Sequence, residues 1–205
     1  MLHYKTIETS TLELLKALLA IPDFANLRLA GGTSLALQIG HRTSIDLDLF
    51  GTISKEPDEI LEIIRPLGNI ITLKNTRNIH TFIINNIKVD IIHYTYPWLA
   101  PANNTDSLRL ASMKDICAMK LAAIAGRGTK KDFIDIYFLL QHFTLDEMFH
   151  FYSEKYADGS LFMIIKSLSY FDDAEEDPEP LMFNHIEWHV IKQEIQKQIS
   201  SFSSL

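Results

Sequence analysis

Between Ser44 and Phe50 the chain alternates without a break, with Ile45, Leu47 and Leu49 falling on one side and Asp46, Asp48 and Phe50 on the other. A period of two is the mark of a half-buried strand. The segment therefore predicts a sheet with one face against a core and an opposite face that carries both aspartates.

The flanking text supplies the rest of such a sheet. Ile7 to Leu19 places Leu12, Leu15, Leu18 and Leu19 on one helical face, and Pro22 ends that helix. Leu27 to Ala30 is a short strand running into Gly31-Gly32, after which Thr33 is placed to cap a helix through Gln38, closed by Gly40. Glu56 to Ile64 reads as a helix with Pro57 in its first turn, and Ile70 to Leu73 as a strand. Thr81 to Ile84 and Ile87 to Ile92 form two more strands, joined by Asn85-Asn86 in a tight hairpin. From there the pattern is helical only: Ser112 opens a helix that runs to Gly126, Thr129 opens one over Asp132 to His142, and Leu145 to Ser200 alternates helical patterns with an acidic solvated loop from Asp172 to Glu179. This order predicts an α+β fold, a small mixed sheet backed by helices over residues 1–110 and a helical part over 111–205.

Composition removes several classes of function. A formal net charge of -7 argues against a protein that grips nucleic acid through a broad basic face, leaving only a local patch at Arg127, Lys130 and Lys131. No apolar run approaches the roughly 20 residues of a membrane span, and the N-terminus lacks a secretory signal, so the expected compartment is the cytoplasm. The single Cys117, inside an apolar helical run, reads as a buried small hydrophobe. The eight histidines show no paired metal-ligand spacing. Phe133, Tyr137 and Phe138 fall at helical spacing expected of a core, and His185, Trp188 and His189 lie on a terminal amphipathic helix expected to pack on the body.

Chemistry concentrates near the aspartates. Two carboxylates two apart on a strand have Cβ atoms about 6–7 Å apart, close enough to hold a hard divalent cation such as Mg²⁺ or Mn²⁺ between them. A helix that starts directly after Gly31-Gly32 offers free N–H groups and a positive dipole end, a cradle for a triphosphate to which Thr33 or Ser34 can add a hydroxyl. Asp90, within Lys88-Val89-Asp90-Ile91-Ile92, is the candidate third acid, brought alongside by a neighbouring strand. Arg42 is placed either to contact phosphate or to pair with Asp46 or Asp48, and His41 adjoins it. Such a set suits phosphoryl-type transfer, in which metal ions neutralise charge and align the attacking hydroxyl.

An isolated Asp-x-Asp is a weak signal, but here it has a context. Gly31-Gly32-Thr33-Ser34-Leu35-Ala36-Leu37 followed by Arg42-Thr43-Ser44-Ile45-Asp46-Leu47-Asp48-Leu49-Phe50 resembles the first motif of the AbiEii/AbiGii toxin nucleotidyltransferases, a branch of the DNA polymerase β-like nucleotidyltransferase superfamily. Lys120-Leu121-Ala122-Ala123-Ile124, leading through Arg127 to Lys131-Asp132-Phe133-Ile134-Asp135-Ile136-Tyr137, is similar to the later motifs, a helical Lys and an Asp-x-x-Asp. The resemblance, over roughly residues 27 to 140, implies a polymerase β-like fold and metal-dependent transfer of a nucleoside monophosphate from an NTP to an acceptor hydroxyl, with release of pyrophosphate. It implies a toxin restrained by a cognate antitoxin, with transfer RNA (tRNA) as acceptor in some members. It also implies that Lys120 contacts the nucleotide, that Asp135, preferred over Asp132, is the acid of the last motif, and that the helical part completes the active site. From chemistry alone, Lys120 in an apolar helix needs a phosphate or carboxylate partner if buried, or else snorkels to solvent, while Asp132 can cap its helix. Nucleotidylation of a protein or small molecule, and a non-catalytic member that binds a nucleotide or a partner, remain open alternatives.

Overall fold

A computed structural model describes residues 1–202, which form two compact units: Met1–Tyr96 with Pro101–Ala111, and Pro97–Ala100 with Ser112 onward. The chain is a mixed α/β protein, and no described helix is long and apolar enough to cross a membrane.

The first unit is built on a seven-stranded mixed sheet. Its strands are β1 (Arg28–Leu29), β2 (Leu47–Gly51), β3 (Ile70–Asn75), β4 (Ile79–Ile84), β5 (Ile87–His93), β6 (Asn103–Thr105) and β7 (Leu108–Leu110), in the order β3-β4-β5-β2-β1-β7-β6. Strand β2 runs parallel to β5 and antiparallel to β1, and β1 runs parallel to β7. Alternation reads directly into burial: Leu47 and Leu49, Phe82 and Ile84, and Val89 and Ile91 are all fully buried, while their strand neighbours are not. Leu15 and Leu18 of α1 (Thr9–Ala20) and Ile60 and Ile64 of α3 (Pro57–Ile64) join the same core cluster. Each such side chain, fully buried, stabilises by about 1.5–3 kcal/mol relative to exposure. Between β1 and β2 lies α2 (Gly31–Ile39).

Two local devices act as the sequence suggests. Pro57 stands in the first turn of α3, where the structure adds a reciprocal capping box between Glu56 and Glu59. Asn85 and Asn86 sit at φ +49 and +68, the left-handed pair that a two-residue hairpin between β4 and β5 requires. The expectation that only helices follow residue 92 fails, because β6 and β7 form a further hairpin, turned by Asp106 and Ser107 at positive φ. Three-residue strands carry too little alternation to register as a period.

The second unit is helical: α4 (Met113–Gly126), α5 (Lys130–Leu139), α6 (Leu145–Lys155), α7 (Leu161–Leu168) and α8 (Trp188–Phe202). Helix α4 packs against α5, α6 and α7, which explains why its apolar residues are not confined to one stripe. Ser112, Thr144 and Ser160 cap α4, α6 and α7 through their hydroxyls. Phe133 is core, against Phe171 and Trp188, and Cys117 is fully buried. The acidic loop is largely exposed but fastened: Asp177 accepts from the Lys130 N–H at 3.0 Å, and Glu175 accepts from the Trp188 indole at 3.0 Å.

Candidate active site

The parallel register of β2 and β5 sets Asp48 directly opposite Asp90. Both are partly exposed on the sheet face opposite Leu47, Leu49, Val89 and Ile91. With strands about 4.8 Å apart, the two residues are cross-strand neighbours on one face, a placement in which like charges disfavour each other, and the Asp48 carboxylate leans onto the Gly31 backbone. Asp46 lies one residue ahead of the strand ladder, where the alternation breaks down: Ile45, expected on the core side, is 60% exposed. What places Asp46 is α2, because the buried Thr33 hydroxyl donates to the Asp46 carbonyl and shares a hydrogen bond with Ser44 Oγ at 2.8 Å.

A cation already stands among these acids. Lys88 precedes Asp90 by two residues on the same strand and therefore shares its face; its Nζ donates to Asp90 Oδ2 at 2.5 Å. Burial works against the Lys88 charge, but the Asp90 hydrogen bond and the combined field of Asp90, Asp48 and Asp46 outweigh it and raise the Lys88 pKa. The sequence assigns Lys88 no role, although the period of two that aligns Asp46 with Asp48 would have placed it beside Asp90. Among the described residues, no three His, Cys, Asp or Glu side chains converge closely enough, as placed, to hold a metal ion. The donor chemistry nonetheless suits a hard divalent cation: carboxylate oxygens, two of them in ladder register, and a field from three acids that converges on one ammonium.

Beside the acids lies the glycine turn. The Ala30 N–H donates to the Asp48 carbonyl at 2.8 Å, and α2 begins immediately afterwards at Gly31, at φ +64, with Ala30 as an N-cap that lends no side-chain bond. The helix thus starts two residues before the expected Thr33 cap, and Thr33 falls inside its first turn. Glycine is required here: a Cβ on Gly31 would lie 2.2 Å from Asp48 Oδ2, and one on Gly32 would lie 2.2 Å from Arg42 Nη2. The two positions admit, respectively, a carboxylate and a guanidinium against the turn. Arg42 is buried, its Nη1 donating to the Thr43 carbonyl at 3.0 Å, and His41 is buried as well. The hydroxyls of Thr33 and Ser34 are engaged within the fold, Ser34 accepting from Gln38 Nε2 at 3.2 Å. What the turn presents is therefore main chain, the N–H groups of an uncapped helix start.

In the second unit, Lys120 finds the partner its burial demands. Its Nζ lies 2.8 Å from Asp132 Oδ1 and 2.5 Å from Asp135 Oδ2, and both carboxylates are fully buried. The three-residue spacing puts the two acids on one face of α5. Arg127 Nε donates to Asp132 Oδ2 at 3.0 Å, and Thr129 Oγ1 donates to the same oxygen at 2.6 Å rather than capping the backbone. Burial alone would raise the Asp132 pKa, but Lys120 and Arg127 reverse this and hold it well below the usual carboxylate range. A second buried pair has no counterpart in the sequence expectations. Lys155 Nζ donates to Asp115 Oδ1 at 2.8 Å and to the Pro97 carbonyl at 2.7 Å, and it lies 4.6 Å from the centre of the Trp98 ring. A lysine at the end of α6 reads locally as a surface residue favoured by the helix dipole, and only tertiary packing reveals its burial.

Known proteins resemble this chain in sequence and in fold. The model of the nucleotidyl transferase AbiEii toxin family, a type IV toxin–antitoxin system, matches residues 13–203. The protein aq_aa25 of Aquifex aeolicus (strain VF5) is 34% identical over 183 residues, covering 85% of this chain and 86% of its own length. Among solved structures, the nucleotidyltransferase toxin MenT4 (Rv2826c) of Mycobacterium tuberculosis H37Rv is similar in fold at a TM-score of 0.66 and 13% identity, covering 97% of this chain and 86% of that one. JHP933 from Helicobacter pylori is similar at a TM-score of 0.54 and 20% identity, covering 97% and 98%. Both solved structures lie under a quarter identical, and their likeness is one of fold. With the family match spanning nearly the whole chain, this protein belongs to the AbiEii nucleotidyl transferase toxin family.

Proposed function

We propose that the chain transfers a nucleoside monophosphate from an NTP to an acceptor hydroxyl, with Asp46, Asp48 and Asp90 as the ligands of Mg²⁺ or Mn²⁺. The observation that carries this reading is the juxtaposition of Asp48 and Asp90 in ladder register, with the Gly31 backbone against the Asp48 carboxylate. A divalent ion there would supply charge neutralisation for the triphosphate and for the departing pyrophosphate. The protein's own part is positional. Main-chain N–H groups at Gly31, Gly32 and Thr33 receive phosphate oxygens, and Arg42 beneath Gly32 adds positive charge to the same turn. Thr33 holds the Asp46 backbone in place, and Ser34 braces the first turn of α2 through Gln38. In the reaction the acceptor oxygen bonds to the α-phosphorus as the bond to the β-phosphate bridge breaks, and the hydroxyl proton is lost to a base or to water.

The roles of Lys120 and Asp135, and of Asp132 as a nucleotide contact, need a test that separates chemistry from folding, because all three are buried in one ion cluster. Lys120→Met that stays folded but loses transfer would assign it a part in turnover, whereas loss of fold would assign it a structural one. Acceptor tRNA and an antitoxin that restrains the enzyme are the partners that family membership favours. The decisive experiment incubates the protein with each labelled NTP, Mg²⁺ and total cellular RNA and protein, then asks which macromolecule carries label. We expect labelled tRNA from the wild type and at least a ~100-fold loss in Asp48→Asn. Undiminished labelling by a folded Asp48→Asn variant would refute the proposed site.

A further inference from the structure

Lys88 raises a question that the catalytic reading leaves open, namely why a positive charge should be built into a face meant for a divalent ion. Its ammonium is bonded at 2.5 Å to Asp90, the acid that stands opposite Asp48 in the ladder. The Lys88 side chain is 43% exposed while that of Asp90 is 16% exposed, so the lysine reaches in from the solvent side and has room to leave. Its stem is long and rotatable, and water can receive the freed ammonium. Asp90, in contrast, is held by a strand paired on both edges, with β2 on one side and β4 on the other. Asp48 stands opposite Asp90 in the ladder, so more than one negative charge bears on the same ammonium.

We propose that Lys88 is a displaceable counter-ion of the acid cluster: it neutralises Asp90 in the metal-free protein, and an incoming divalent ion must expel its ammonium before Asp90 can become a ligand. The lysine thereby keeps the empty face stable and sets a threshold for metal loading. This rests on the reading of Asp46, Asp48 and Asp90 as metal ligands. It makes Lys88 a positioning residue, acting through Asp90 rather than on substrate.

Binding of Mn²⁺ alone to the nucleotide-free protein, followed by the paramagnetic resonance of free Mn²⁺, tests it. Lys88→Met should tighten Mn²⁺ binding by ~10-fold or more, equivalent to about 1.4 kcal/mol, and should enlarge the rise in melting temperature that Mn²⁺ produces. Lys88→Arg, which keeps the charge and can still reach Asp90, should stay within about 2-fold of the wild type. Unchanged or weaker binding in Lys88→Met, with Asp48→Asn still abolishing Mn²⁺ binding, overturns the role of Lys88 while leaving the metal site in place. Mn²⁺ binding that survives Asp48→Asn undiminished overturns the metal site itself, and the role of Lys88 with it.

Discussion

Replacing Lys155 by Met should unfold the helical unit more readily than any surface change could. The Lys155 ammonium is fully buried and bonded to Asp115 Oδ1 at 2.8 Å and to the Pro97 carbonyl at 2.7 Å. Asp115, itself fully buried, also accepts from the Leu99 N–H at 2.9 Å and from Ser112 Oγ at 2.6 Å. Met fills similar volume, so the cost is electrostatic: a buried carboxylate loses its counter-charge and a carbonyl loses its donor, together about 3–5 kcal/mol. With an m-value near 2 kcal/mol/M, the urea midpoint should fall by roughly 1.5–2.5 M. Tryptophan fluorescence is the natural probe, because both tryptophans, Trp98 and Trp188, belong to this unit. Asp115→Asn keeps Oδ1 as the acceptor for the Leu99 N–H while removing the charge and turning the Oδ2 position into an amide donor that the Ser112 hydroxyl can accept from, so a double-mutant cycle isolates the pair, with an expected coupling of about 2 kcal/mol. A Lys155→Met midpoint within ~0.5 M of the wild type, or strictly additive single effects, would refute the claim that this ion pair holds the 97–100 segment to the helices.

Three further outcomes follow from the same structure. Because its folded pKa is depressed, Asp132 contributes stability that is present above its unfolded value of about 3.9 and is lost as pH falls through the lower folded value; Asp132→Asn should flatten the acid limb of the urea midpoint against pH, and an unchanged limb would count against the Lys120 and Arg127 contacts. Cys117 is fully buried and its thiol pKa is pushed up by that burial, so a disulfide reagent at pH 8 should modify it only after unfolding; rapid stoichiometric reaction of the native protein would contradict its placement. Gly31→Ala forces a side chain at φ +64 and drives a Cβ to 2.2 Å from Asp48 Oδ2, so it should cost about 1–2 kcal/mol in stability and abolish nucleotide transfer, whereas retained full activity would show that the turn and Asp48 need not touch.

Legibility followed the length of the repeat that each element offers. The strands around Asp48 and Asp90, the Asn85-Asn86 hairpin and the capped starts of α3 and α4 are written in local periods and local hydrogen-bonding chemistry, so they can be read without a fold. The sequence expects a neighbouring strand to bring Asp90 alongside the aspartate pair, but the strand order and the register that set Asp90 opposite Asp48 are specified by no local pattern. Two misplacements share one cause, that tertiary contacts overrode local preference: Ile45 lies outside the ladder and faces solvent, and Thr33 is spent on fastening Asp46 rather than capping α2. The burial of Lys155, for which the sequence set no expectation, has the same origin. The β6–β7 hairpin escaped because its strands are short and their partner β1 is only two residues long.

The bond from the Ala30 amide to the Asp48 carbonyl carries one more implication. It ties the entrance of α2 to the strand bearing the acids through atoms that every amino acid possesses, so the offset between turn and carboxylate is gauged by the peptide framework rather than by any side chain. Such a gauge tolerates wide drift in residue identity around it. It does not tolerate a residue gained or lost at the junction of β1 and α2, since a single step of register would carry Gly31 away from Asp48 and leave a sound helix pointing its open end at nothing.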